Sequence, residues 1–181
     1  MHPPFLIGEK IYLRAPEDGD EINATIIENH PDPRETLFFA YPTSSKTQSE
    51  KLENAAKDRN TILFTICTQD ADKPIGQTSF IRIDWVGRMA TFYIAIAEKE
   101  NWSLGFGSET LALMIDYGFA TLNLNRIQLH VLCSNTKAFK IYENQGFTIE
   151  GTLRQAMYYK NRYHDFYLMA LLRQEWDSGK K

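Results

Sequence analysis

The sequence has little of several features that would point to a specialised class of protein. No apolar run is long enough to cross a bilayer, and the segment from Met1 to Phe5 lacks the basic and apolar regions of a signal peptide. The two cysteines, Cys67 and Cys133, lie far apart, fit no metal-binding spacing and sit in apolar runs typical of buried thiols. We therefore expect a protein of the reducing cytoplasm, with no membrane partner and no bound metal.

A strongly basic charge balance is also missing. The formal net charge is −3, so no nucleic-acid partner is expected. The charge is unevenly placed, because nine acidic and only three basic residues lie between Glu17 and Glu53. Such a region either attracts cations such as protonated amines or is simply a solvated helix surface, and the sequence leaves both interpretations open.

The composition that remains is that of a globular domain. The 181 residues are 43% hydrophobic and 24% charged, which is enough to build one core. There is no internal repeat, low-complexity tract or linker-like stretch. We therefore expect one domain over residues 1–181.

The apolar periodicity predicts an order of β, α, α, three strands, α, β, α and two strands. Helices are expected over residues 17–29, 47–57, 105–122 and 135–144, with Pro31 and Pro33 ending the first and a loop over residues 34–41. Strands are expected over residues 10–14, 61–68, 75–83, 88–97, 126–133, 147–154 and 163–172, with a tight turn at Lys160-Asn161. Strands interleaved with helices predict an α/β fold, with a mixed central sheet of about seven strands and helices on both faces.

A first candidate ligand-binding segment runs from Trp102 to Ser108 and leads from a strand into a helix through Gly105 and Gly107. Glycine lets the backbone approach a ligand closely. The unpaired N–H groups and the positive dipole end at a helix start suit a phosphate. Two glycines before a helix are also an ordinary tight turn, and the spacing matches neither the dinucleotide fingerprint nor the phosphate loop.

A second segment runs from Asn135 to Phe147. Asn135 is a good N-cap and Gly146 a good helix stop. Ala138 and Tyr142 lie four residues apart and share one helix face. Taken by itself, Tyr142 is most simply a core aromatic residue whose hydroxyl is satisfied.

The two segments together are far more specific. Trp-x-x-Gly-x-Gly at 102–107, followed about thirty residues later by Asn-x-x-Ala-x-x-x-Tyr-x-x-x-Gly-Phe at 135–147, resembles the GNAT superfamily of N-acetyltransferases. Glu150-Gly151, Arg154 and Asp165 resemble its RimJ/RimL branch, which includes ribosomal-protein N-terminal acetyltransferases and spermidine acetyltransferases.

The first motif departs from the family pattern. Trp102 stands where Gln or Arg usually opens the loop, and Ser103-Leu104 replaces a common Gly-Lys pair. Backbone N–H groups could still bind a pyrophosphate, but the loop has one positive charge fewer than is usual.

The resemblance implies transfer of an acetyl group from acetyl-CoA to a primary amine by direct attack in a ternary complex. Tyr142 would protonate the departing thiolate, because a tyrosine is protonated at neutral pH. A backbone N–H near Ile96 would hold the oxyanion. The implied coenzyme contacts are Ala95, Ile96 and Ala97 for pantetheine, Trp102, Ser103, Leu104, Gly105, Phe106, Gly107 and Ser108 for the pyrophosphate loop, and Asn135 near the sulfur arm.

The amine must lose its proton before it attacks. His130 is the candidate acceptor of that proton, because histidine titrates near neutrality. The alternative is a partly buried histidine with a structural role.

The sequence identifies the binding site of the acceptor amine less specifically than that of the coenzyme. Candidate pocket residues are Glu35, Phe38, Phe39 and Tyr41, which could equally pack onto the core, and Tyr158 near the last hairpin, whose surface could instead form a homodimer contact. A peptide α-amine, a polyamine and an amino sugar or antibiotic all remain open as acceptors. A coenzyme-binding sensor without turnover is an alternative of another class.

Overall fold

The computed structural model describes residues 3–179, so Met1 and His2 of the N-terminal segment considered above lie outside the described range. Eight strands occur within it: β1 Leu6–Ile7, β2 Ile11–Arg14, β3 Ile62–Thr68, β4 Pro74–Asp84, β5 Met89–Ile96, β6 Arg126–Leu132, β7 Thr148–Tyr159 and β8 Arg162–Leu172. Six α-helices accompany them: α1 Glu21–Asn29, α2 Pro31–Leu37, α3 Ser45–Lys57, α4 Phe106–Asp116, α5 Thr136–Asn144 and α6 Arg173–Gly179.

The strands form one mixed sheet in the order β1-β2-β3-β4-β5-β6-β8-β7. Every neighbouring pair in it is antiparallel except β5 and β6, which run parallel. The main core lies on one face, under α4 and α5, and a smaller cluster built on Ile27, Ala95 and Ala97 lies on the other face, under α1 and α2. The fold class predicted from the sequence, a mixed α/β sheet with helices on both faces, is confirmed. None of the helices in residues 3–179 is long and apolar enough to cross a membrane.

The prediction of a loop over residues 34–41 is wrong for residues 34–37, which belong to α2. Helix α1 does end at Asn29, because the residue before a proline disfavours the helical region and His30 is extended. Pro31 then opens α2, where its missing N–H costs nothing in the first turn. Phe38 ends α2 with a positive φ of 52°.

Other elements also differ from the sequence prediction. The helix expected to continue to Leu122 ends as an α-helix at Asp116 and continues as a π-helical turn, Tyr117–Thr121. The short strand β1 and the short helix α6 were not predicted, because neither is long enough to show an apolar period. The Lys160-Asn161 turn is confirmed, with both residues at positive φ.

A buried ion pair fixes the start of α1 against the sheet. Arg14, at the end of β2, donates to both oxygens of Asp20 at 2.7 and 2.9 Å. Thr65 and the backbone of Glu17 donate to the same carboxylate. Burial alone would raise the pKa of Asp20, but these hydrogen bonds outweigh it and the pKa lies below its ordinary value. The pair holds α1 over the face that carries the smaller core.

Candidate active site

The central feature of the site is a gap between the two parallel strands. β5 and β6 are paired only from Met89 to Thr91 and from Arg126 to Gln128. Beyond these residues both strands continue without pairing to each other, β5 to Ile96 and β6 to Leu132. Such a splay leaves backbone N–H and C=O groups of a central strand free to pair with a ligand.

The backbone of β5 alternates between its two neighbours. The N–H of Ala97 donates to Ile75 of the β4 side at 2.9 Å, so the polar groups of Ala95 and Ala97 face β4. Those of Ile94 and Ile96 therefore face the gap. The sequence prediction is corrected here. Of the three residues predicted to pair with pantetheine, only Ile96 directs backbone polar groups to the gap. Ile94, which was not predicted, does the same. The period-2 alternation of a strand was the signal that identifies it.

The loop after β5 is folded back onto the strand. The indole Nε1 of Trp102 donates to the carbonyl of Ile96 at 3.1 Å. Ser103 and Gly105 both have positive φ, 64° and 93°. These two left-handed residues change the direction of the chain where α4 begins. Glycine suits the second position because it reaches this conformation without strain.

Helix α4 presents its positive end at this loop. Among residues 3–179 no side chain caps its N-terminus, so N–H groups from Phe106 to Ser108 are available to an anion. The residues predicted to bind the pyrophosphate thus lie together beside the open end of the gap.

Tyr142 lies on α5 with its ring in the main core, 6.4 Å from the ring of Phe92 and 6.1 Å from that of Phe147. Asn135 caps the helix, its side-chain oxygen accepting from the N–H of Ala138 at 3.1 Å. Burial raises the pKa of Tyr142 to about 12. The hydroxyl is therefore protonated throughout the physiological range, as a proton donor must be.

Tyr93 reaches the same region from the opposite face of the sheet. Its side chain packs against the smaller core, whose buried residues are Ile27, Ala95 and Ala97. Its pKa is raised well above the ordinary value, first by burial and then by the charge of Glu28 and by Tyr142. Tyr93 was not predicted as a site residue, because its relation to Tyr142 depends on the two sheet faces that meet at the gap.

His130 lies on β6 between Leu129 and Val131, which point into the main core. The alternation of the strand puts its side chain on the face of Tyr93 and not on that of Tyr142. Partial burial of the ring, and then the positive charge of Arg82, lowers the pKa of His130. The imidazole is therefore neutral at pH 7 and able to accept a proton, although it is exposed to solvent.

A cavity of about 370 Å³ opens beside the N-terminus of α5. It is lined by α2, the end of β6, the first turn of α5 and the β7–β8 hairpin: Glu35, Thr36, Phe38, Leu132, Ser134, Asn135, Thr136, Lys137, Tyr159, Lys160, Arg162 and His164. The ring of Phe38 stacks on Tyr159 at 5.0 Å and touches His164 at 5.1 Å. Two of the predicted acceptor residues, Glu35 and Phe38, therefore line one cavity.

The other predicted acceptor residues lie elsewhere. Phe39 packs into the smaller core. Tyr41 is 84% exposed and Tyr158, which pairs with the ring of Tyr163, is 58% exposed; neither lines the cavity. They were selected from an aromatic run in the sequence, which does not reveal the direction in which each ring points.

The acidic excess of the N-terminal third is largely paired. Glu28 accepts from Lys51 at 2.7 Å, Asp32 lies 3.7 Å from Lys99, and Glu35 accepts from Lys160 at 3.0 Å. Each pair joins α1 or α2 to a lysine distant in sequence. These carboxylates are therefore ammonium-binding groups, and none of the three stands as an unpaired charge.

Neither cysteine has the environment of a nucleophile. Cys67 is fully buried and Cys133 is half-buried. Burial raises the pKa of both thiols above its ordinary value, so the reactive thiolate is disfavoured.

Comparison with known proteins agrees with this geometry. The family model described as the acetyltransferase (GNAT) domain matches residues 10–148. The spermidine N(1)-acetyltransferase of Vibrio cholerae is 33% identical over 94% of this chain and 97% of its own. The putative ribosomal N-acetyltransferase YdaF of Bacillus subtilis is 30% identical over 96% and 97%.

A solved structure extends the agreement to three dimensions. The crystal structure of spermidine N-acetyltransferase from Vibrio cholerae in complex with CoA and spermine superposes with a TM-score of 0.86, at 29% identity, over 93% of this chain and 99% of that one. The splayed strands, the open helix start and the two sequence motifs thus occur in a chain that matches these relatives over nearly its whole length. The chain belongs to the GNAT acetyltransferase family and is an acetyl-CoA-dependent N-acetyltransferase.

Proposed function

We propose that acetyl-CoA lies along the β5–β6 gap and that Tyr142 protonates the thiolate that leaves it. Pantetheine pairs with the backbone of Ile94 and Ile96, and the pyrophosphate lies on the N–H groups that open α4. The single observation that carries this assignment is the end of β5–β6 pairing at Thr91 and Gln128. The gap that opens there provides space for the thioester between the sheet face that carries Tyr93 and the face that carries Tyr142.

The chemistry in this arrangement is a direct transfer. A neutral amine attacks the thioester carbonyl, a backbone N–H of Ile94 or Ile96 stabilises the oxyanion, and collapse of the tetrahedral species expels the thiolate. A base on the opposite face takes the proton of the substrate ammonium before the attack. After the collapse Tyr142 gives its proton to the sulfur, and the amide nitrogen releases its remaining extra proton to solvent, from which Tyr142 is reprotonated. His130 fits the role of that base by its face and its neutral state. No covalent enzyme intermediate is required.

For the acceptor we propose a polyamine. Three carboxylates of α1 and α2 each hold a lysine ammonium, at 2.7 Å for Glu28, 3.7 Å for Asp32 and 3.0 Å for Glu35. The Glu35–Lys160 pair is exposed on both sides, and an exposed ion pair contributes on the order of 1 kcal/mol or less, so an ammonium of the substrate can replace Lys160 at little cost. The relatives named as spermidine acetyltransferases support this choice.

A second acceptor is favoured by the cavity beside α5. Lys137 and Arg162 line it without an ion-pair partner among the described residues, and this positive lining suits an anionic group. A peptide α-amine followed by acidic side chains carries such a group. The relative named as a putative ribosomal N-acetyltransferase supports this alternative.

A panel of matched amines tests the assignment. Butylamine has the four-carbon chain of putrescine but one ammonium group fewer. The peptide Ala-Gln-Gln has the length of Ala-Glu-Glu but no acidic side chains. A polyamine enzyme favours putrescine and spermidine in kcat/KM, with KM rising as salt screens the carboxylates. If the enzyme prefers the acidic peptide and does not distinguish the two small amines, the acceptor is a peptide and not a polyamine. Preference for an amino sugar would overturn both.

We also propose that copies of the chain associate through β7. This strand is at the edge of the sheet and exposes the apolar side chains of Ile149, Leu153 and Met157. An apolar edge strand is a ready template for pairing with a second chain. Light scattering of the wild type and of Leu153→Lys tests this: the wild type should be oligomeric and the variant smaller. A monomeric wild type at micromolar concentration would refute the proposal.

A further inference from the structure

The turn between β1 and β2 is tied to the first turns of α4. The backbone N–H of Lys10 donates to Glu109 Oε1 at 3.0 Å and lies 3.3 Å from Oε2. Gly8 lies against the same carboxylate, so closely that a Cβ there would come within 2.0 Å of Oε1. The turn is therefore built to receive Glu109, and its position relative to α4 is fixed.

This attachment brings the Lys10 side chain to the loop that precedes α4. Its Nζ donates to the carbonyl of Leu104 at 3.1 Å. A Cβ built on Gly105, the residue that precedes the helix, would lie 3.4 Å from the same Nζ. The ammonium thus lies beside the N–H groups to which we assign the pyrophosphate, although Lys10 is more than ninety residues away in sequence.

The charge of Lys10 is also uncommitted. Lys73 and Lys99, the other lysines with bonds near this loop, pair with Glu98 and Asp32. In residues 3–179, the Lys10 ammonium has only the Leu104 carbonyl as a hydrogen-bond partner, and no carboxylate lies within ion-pair distance of it. An ammonium has three protons, so two remain for another acceptor.

We infer that Lys10 binds the pyrophosphate of acetyl-CoA and supplies the positive charge that the loop itself lacks. The loop from Trp102 to Ser108 contains no lysine or arginine, and the positive charge comes instead from the turn between β1 and β2. A hydrogen bond between ionised partners is shorter and stronger than a neutral one. This inference rests on the proposed position of the coenzyme at α4.

Three substitutions separate the charge from the hydrogen bond to Leu104. Lys10→Arg keeps both, Lys10→Gln keeps a donor for Leu104 without the charge, and Lys10→Met loses both. Lys46→Gln, an exposed lysine at the start of α3, is the matched control for loss of one positive charge. Calorimetry with CoA and with dephospho-CoA measures affinity, and thermal unfolding shows that each variant is folded.

Lys10→Gln and Lys10→Met should each lower the affinity for CoA by about tenfold to a hundredfold, the effect of losing a charged hydrogen bond. The affinity for dephospho-CoA should fall by the same factor as that for CoA. Lys10→Arg and Lys46→Gln should stay near the wild type. Full affinity in Lys10→Gln would overturn the inference, whether or not Lys10→Met is weakened, because only the contact with Leu104 would then matter. Loss confined to CoA would move the contact to the 3′-phosphate and equally overturn it.

Gly105→Val distinguishes this failure from failure of the coenzyme site. A β-branched side chain at a φ of 93° would be strained and would block the approach of the phosphates. If Gly105→Val binds CoA normally in a folded protein, the proposed position of the coenzyme is wrong. If it abolishes binding while Lys10→Gln does not, only the role of Lys10 is wrong.

Discussion

The indole of Trp102 donates a hydrogen bond to the carbonyl of Ile96 at 3.1 Å, and so closes the loop before α4 onto the free end of β5. The bond joins the two parts of the proposed coenzyme site, the strand that faces pantetheine and the loop that faces the pyrophosphate. A residue that departs from the usual family pattern therefore has a defined structural task.

Trp102→Phe should raise the KM for acetyl-CoA by about threefold to tenfold, the effect of losing one hydrogen bond of about 1 kcal/mol. The phenyl ring keeps part of the apolar surface of the indole, so the loop should stay folded and kcat should hold. Trp85→Phe is the matched control, because its indole also donates to a backbone carbonyl, that of Arg59 at 3.0 Å, on the β4–β5 turn. Equal effects of the two changes on KM would remove Trp102 from the site.

Asp20→Asn should lower the free energy of unfolding by about 3–5 kcal/mol at pH 7, because it leaves the buried Arg14 without its counter-charge. The pKa of Asp20 is lowered in the folded state. The stability it contributes is therefore present above the unfolded value of 3.8 and is lost as pH falls through the folded pKa.

Urea unfolding from pH 7 down to pH 3 measures this difference, which should narrow only at the acidic end. Glu53→Gln is the control, since it breaks an exposed pair with Lys57 at 3.7 Å and should cost less than about 0.5 kcal/mol. A loss of stability in Asp20→Asn no greater than that of the control would contradict the account of the buried pair.

His130→Gln should reduce kcat/KM by a factor of about 10²–10⁴ if His130 is the general base. The wild-type profile should then lose activity as pH falls through a pKa below 6.5, because burial and Arg82 disfavour the imidazolium. Arg82→Met removes the positive neighbour and should move this acidic limb to higher pH. An acidic limb that does not respond to Arg82→Met, with full activity in His130→Gln, would leave His130 a structural role.

Much of the fold followed from local pattern. The spacing from Asn135 to Tyr142 predicted a capped helix with Tyr142 two turns in, and α5 has that form, with Asn135 as its N-cap. The positive-φ turn at Lys160-Asn161 was equally local. Such features depend on a few neighbouring residues, so the sequence is sufficient to predict them.

The features that were missed depend on residues distant in sequence. Glu35 is a candidate pocket residue in the sequence, but its ion pair with Lys160, which lies 125 residues away, is not visible there. The alternation that selects Ile94 becomes visible only when the partner of Ala97 on β4 is known. The approach of Tyr93 to Tyr142 requires both faces of the sheet and the gap between them.

The most direct test of the mechanism is the single-turnover rate of acetyl transfer by Tyr142→Phe. The ring stays among Phe92 and Phe147, so folding and CoA affinity should be retained while only the hydroxyl is lost. Tyr117→Phe, a second core tyrosine whose pKa is also raised by burial, is the matched control. Single turnover is needed because slow product release can hide a loss in kcat.

With spermidine, or with whichever amine the panel prefers, Tyr142→Phe should transfer the acetyl group about 10²–10⁴ times more slowly than the wild type. Tyr117→Phe should remain near the wild-type rate. A Tyr142→Phe enzyme that binds CoA normally and retains the full single-turnover rate would contradict the account, because Tyr142 would then be a core residue and the proton would reach the thiolate from water or from the substrate.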